Sequence, residues 1–183
     1  MTDETPSVET TPTIKPKTGW NGLTTNAKVA IGLVALVLLI TVVIGASGGS
    51  GNTTPTSDTT PTTISLSEQW NTWKSTAQPI ISQTQTDYTQ ATADLTNGDY
   101  NASVQDFATL SQDANTINGL ANSPDTAVNA AIQATAGDLQ QIASTGIAAL
   151  SSNDITTFQK AVDQWSVDTN TLATAIENAN NTY

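Results

Sequence analysis

A chain of 183 residues has room for one small domain with appendages, and this one carries 16 acidic residues against 5 lysines for a net charge of -11. It contains no cysteine, no histidine and no arginine, which removes disulfides, thiol nucleophiles, imidazole bases and thiolate or imidazole metal ligands. The acidic balance also removes the basic footprint that binding to nucleic-acid phosphates needs.

Residues 1–27 hold three prolines, and four threonines fall within the first eleven positions; without apolar periodicity the segment is expected to be a disordered cytoplasmic tail. Trp20 is expected to sit at headgroup depth as an interfacial anchor. From Val29 to Ala46 run 18 uncharged residues in which only Thr41 has a polar side chain. At 1.5 Å per residue such a stretch spans roughly 27 Å, so a transmembrane helix is expected over 28–47. Lys15, Lys17 and Lys28 precede it and no lysine follows until Lys74, which orients the N-terminus to the cytoplasm. A cleaved signal peptide is the alternative, disfavoured by the preceding tail and by an apolar run longer than a signal sequence needs. Without a cysteine after the span, lipid anchoring through a thioether is excluded.

Residues 48–65 read as a linker. Over 47–65, Gly, Ser, Thr and Pro fill 16 of 19 positions, a composition that is flexible near the membrane and stiffer where Thr and Pro alternate. Glycosylation sequons at Asn52, Asn101 and Asn180 arise easily by chance in so Asn- and Thr-rich a chain.

The remainder, 66–183, shows apolar residues at spacings of three and four, the mark of helices with one buried face. The first seam is Trp70, Trp73, Ala77, Ile81, Thr84, Tyr88, Ala91 and Leu95; the second is Tyr100, Val104, Phe107, Leu110, Ala114 and Ile117. The third is Val128, Ile132, Thr135, Leu139, Ile142, Gly146 and Ala149 with Leu150, and the fourth, the most regular, is Ile155, Phe158, Val162, Trp165, Thr169, Leu172, Ile176 and Ala179. Ser65-Leu66-Ser67-Glu68 spells a capping box, Asp99 and Asp154 stand where N-caps belong, and Ser123-Pro124-Asp125 supplies a cap, a first-turn proline and an acid matched to the helix dipole. Asn97-Gly98 and Asn118-Gly119 offer left-handed residues to end the first two helices. Helices are thus expected at about 66–97, 99–118, 124–150 and 154–181, joined by short turns as an all-α, extracytoplasmic, antiparallel four-helix bundle. Pro79 should bend the first helix, and Gly146 should receive a bulky side chain such as Trp165 or Phe158. The turns Leu95–Tyr100 and Leu150–Ile155 resemble each other 55 residues apart, but the fixed period of about 34 of tetratricopeptide arrays is missing and no family resemblance follows.

Chemistry is left to carboxylates, hydroxyls, tyrosine and lysine. Asp99, Asp106 and Asp113 recur every seven residues beside the second seam, a stripe able to attract a basic partner, or simply a solvated flank. Trp70, near the open end, is the tryptophan expected to be exposed if any is. Lys74 and Lys160 have no evident partner that would depress their pKa. Catalytic, cofactor and metal sites are not expected. The reading is a membrane-anchored, non-catalytic protein of a bacterial envelope whose bundle binds another envelope protein or a wall polymer. The alternatives are a ligand-sensing ectodomain acting through a partner and, last, a carboxylate-based hydrolase.

Overall fold

The computed structural model describes residues 64–152 and 155–183. The expected tail, the Val29–Ala46 span, all but the end of the linker, and the Asp154 cap lie outside the described residues. Among the described residues no helix is long and apolar enough to cross a membrane.

Four helices and no strand fill the described chain: α1 Leu66–Asn97, α2 Tyr100–Asn118, α3 Thr126–Ser152 and α4 Thr156–Thr182. Their starts have distinct causes. At α1 the capping box forms as the sequence predicts, with the Glu68 amide donating to Ser65 Oγ at 3.2 Å and the Ser65 amide donating to Glu68 Oε2 at 3.0 Å. The Ser65 amide and hydroxyl, both donating to Glu68 Oε2, hold the Glu68 carboxyl below its ordinary pKa. Asp99 caps α2 by accepting from the Ala102 amide at 3.1 Å.

At α3 the cap moves two residues from its expected place. Asp125 Oδ1 takes the amides of Ala127 and Val128 at 2.9 and 3.0 Å, so the helix begins at Thr126 rather than Pro124. Ser123 instead closes a tight turn, its hydroxyl accepting from the Asp125 amide. The carboxylate wins because a charged acceptor makes the stronger bond to an orphan helix amide. The N-cap of α4 is Ile155, which has no side chain able to cap.

The two glycine stops differ. Gly98 ends α1 in the left-handed conformation, φ 78°, and its amide reaches the carbonyls of Asp94 and Leu95. Gly119 does not become left-handed; it keeps a right-handed φ of -63°, and the chain continues in turns that bring Leu120 into the core. That continuation also aims the Leu120 carbonyl at the Trp73 indole, whose Nε1 donates to it at 2.8 Å.

Consecutive helices pack against one another, and cross-helix contacts run antiparallel. Asp87 meets Asp113 and Asp94 meets Asp106 between α1 and α2, Ser111 bonds Gln140 between α2 and α3, and Asp138 meets Asp168 between α3 and α4. The bundle closes through long side chains, since α1 and α4 are bridged by aromatic rings rather than by close backbone approach. Tyr88 packs on Trp165 with ring centroids 4.6 Å apart, and Trp70 lies 5.8 Å from Tyr183.

Most of the predicted seams are buried, with two corrections. On α2 the inward position in the first turn is Ser103, fully buried with its hydroxyl donating to the Asp99 carbonyl, while Val104 is 38% exposed. A short side chain that satisfies itself locally lets the α2 start approach its neighbours. The bulky partner of Gly146 is Phe107 rather than Trp165 or Phe158: a Cβ on Gly146 would fall 2.6 Å from the Phe107 ring. Phe107 in turn meets Phe158 edge to face at 5.7 Å. Pro79 is accommodated on the exposed side of an unbroken α1.

Candidate functional site: facing aspartates on the helix seams

The acids of the bundle are not scattered. Asp87 and Asp113 lie 13 residues either side of Tyr100, and Asp94 and Asp106 six either side, so the α1–α2 turn brings each pair face to face. In the second hairpin Asp138 and Asp168 lie 15 residues either side of position 153 and meet in the same way. The heptad spacing within each helix returns both members of the first hairpin to one flank of the seam.

Within each pair the partners differ. On α1, Gln83 Nε2 donates to both oxygens of Asp87 at 3.0 and 3.1 Å, and Gln90 Nε2 donates to Asp94 Oδ2 at 2.8 Å. Across the seam, Asp106 Oδ2, Asp113 Oδ2 and Asp138 Oδ2 are buried atoms without a hydrogen-bond partner among the described residues. Two ionised carboxylates can only accept, so facing carboxyls bond only when one of them carries a proton. Desolvation first, then the facing carboxyl, pushes Asp106 and Asp113 up to about 6 and Asp138 up to about 7.

This arrangement redistributes the predicted stripe. Asp106 and Asp113 are half-buried members of cross-helix pairs, not a solvated flank, while Asp99 is an exposed cap whose charge adds to the field at Asp106. Asp87, Asp94, Asp138 and Asp168 complete the set. Their pairing was within reach of the sequence, because equal distances from a recognised turn identify facing positions in a hairpin.

The other polar cluster lies where α1 begins and α4 ends. Trp70, expected to be the exposed tryptophan, is 1% exposed. It stacks on Trp73 at 4.8 Å, and its Nε1 donates to Asn180 Oδ1 at 3.0 Å. The C-terminal turn of α4 covers it, a long-range contact that local spacing does not reveal. Lys74, expected to be unperturbed, is buried with Nζ 3.2 Å from the same Asn180 oxygen and 5.8 Å from the Trp70 ring centre; burial lowers its pKa. With its side chain so engaged, Asn180 is a poor glycan acceptor.

Between the four helices a gap of about 30 Å³ is bordered by Ile81, Ile117, Thr135, Leu139, Trp165 and Leu172. Thr135 Oγ1 and Trp165 Nε1, both without a partner among the described residues, belong to side chains at its edge. The volume suits a water or two, not a metabolite. Among the described residues no three His, Cys, Asp or Glu are grouped to hold a metal ion. No protein family, curated protein or solved structure matches the chain.

Proposed function

We propose that the chain is a single-pass membrane protein, N-terminus in the cytoplasm, that holds a non-catalytic helical bundle outside the membrane to bind another envelope protein or a wall polymer. The observation that carries the reading is the uncharged stretch Val29–Ala46 with lysines only on its N-terminal side, followed by a Thr/Pro-rich spacer ahead of the helices.

Side-chain chemistry supports the non-catalytic part. With no histidine or cysteine, hydroxyls are among the nucleophiles that remain, and many of them donate to carbonyls of their own helices, as Thr86, Thr89, Thr96, Thr116 and Thr174 do. Such a hydroxyl has no base to activate it. The facing aspartates are within hydrogen-bond reach of each other on packed seams, whereas glycoside hydrolases hold their two carboxyls about 5 Å or more apart around the substrate. The small interior gap gives no support to a ligand sensor.

Orientation is tested by treating intact cells that express the N-terminally tagged chain with protease. The reading expects loss of everything after about residue 47 and survival of the tag. A tag that is digested from outside, or a bundle that survives with the cytosolic fraction, contradicts it.

A further inference from the structure

We propose that the two hairpins are latched by shared protons, with Asp106, Asp113 and Asp138 the protonated members and Asp94, Asp87 and Asp168 the acceptors, so that the helical domain tightens as the medium is acidified. The geometry assigns the proton in the first hairpin. Asp87 and Asp94 each already take an amide N–H from a glutamine four residues earlier, while the facing Asp106 and Asp113, like Asp138 in the second hairpin, bury an oxygen that no donor reaches. A proton on the α2 carboxyl turns two repelling acceptors into a donor and an acceptor.

The surroundings contain nothing that would do the same by charge. Asp106 feels Asp94, Asp87 and the capping Asp99; Asp113 feels Asp87; Asp138 feels Asp168. On the other flank of α2, the described residues of α3 offer Asp138 as their only ionisable side chain, and α4 carries Lys160, Asp163, Asp168 and Glu177. Neither Lys74 nor Lys160 is among the groups acting on the three raised carboxyls. The folded domain therefore holds protons that the unfolded chain, titrating near 3.9, has already released. The stability these pairs contribute is fully present below about pH 4 and is lost as pH rises through 6 to 7, the reverse of an ordinary salt-bridged carboxylate. The inference concerns the helical domain alone and does not depend on which side of a membrane it occupies.

The test is urea unfolding of the full chain in detergent micelles, followed by tryptophan fluorescence from pH 4 to 7.5. The unfolding equilibrium constant should fall on acidification, each pair contributing up to about tenfold per pH unit between about pH 4 and 6. The variant carrying Asp106→Asn, Asp113→Asn and Asp138→Asn, whose amides donate permanently, should lose that dependence and match at pH 7.5 the wild type at pH 5. Should the triple variant not fold, Asp138→Asn alone should remove about one third of the slope. A wild-type constant that is flat or rises on acidification overturns the latch, as does a folded triple variant, or a single one, that keeps the full slope. Millimolar calcium or magnesium that stabilises the wild type at pH 7.5 more than acid does would show the pairs to be cation sites instead, and would equally overturn it.

Discussion

The end of the bundle around Trp70 and the acid seams along α1–α2 and α3–α4 are both partly polar and partly buried, yet they differ in completeness. At the aromatic end each buried indole donor has an acceptor: Trp70 has Asn180 and Trp73 has the Leu120 carbonyl, while Lys74 shares the Asn180 oxygen. Along the seams three carboxyl oxygens have none. A complete cluster contributes a fixed stability, whereas an incomplete one contributes according to what the solvent supplies. The first kind staples termini together; the second makes the fold responsive.

Both regions depend on the core between them, so the largest effect belongs there. Phe107, 1% exposed and wedged between Gly146 and Phe158, should cost about 3 to 5 kcal/mol when changed to alanine, measured by urea unfolding. That is a large share of the roughly 5 to 15 kcal/mol such a domain possesses. Next comes the complete cluster. Asn180→Ala removes the acceptor of a buried indole and should cost about 1 to 3 kcal/mol by the same measurement. Its unfolding curve should shift equally at pH 5 and pH 7.5, because no carboxyl is lost, and a shift confined to one pH would erase the distinction between the two regions.

How far the sequence carried these assignments follows from the range of each interaction. The four apolar seams are local, i to i+3 or i+4, and are legible without a partner helix. Ser65 and Asp99 cap as read because their acceptor and donor are three residues apart. At Ser123-Pro124-Asp125 two side chains compete for the same amides, and only geometry shows that Asp125 takes them. Local spacing does not reveal the burial of Trp70, because its cover, Asn180 and Tyr183, lies over a hundred residues away. The aspartate stripe on α2 was visible, but its meaning lay in the facing stripe on α1.

The smallest predicted effect separates the exposed member of that stripe from its paired mates. Asp99→Ala should cost about 1 kcal/mol through loss of the cap on the Ala102 amide, with a thermal shift of a few degrees. Because the Asp99 charge also raises Asp106, the variant should move the Asp106 titration toward lower pH while leaving Asp138 where it is. Equal movement of both would mean a general loosening of the bundle rather than a local field.

The central claim is that each facing pair holds one proton in mildly acidic medium, at a pH where an ordinary aspartate has lost it, and carboxyl-carbon NMR titration of aspartate-labelled full-length protein in micelles reads it directly. The account predicts that Asp106, Asp113 and Asp138 titrate with midpoints near 6, 6 and 7, while the folded state persists throughout. Midpoints for all three in the ordinary range, near 4, would contradict it and return the acid seams to the status of solvated flanks.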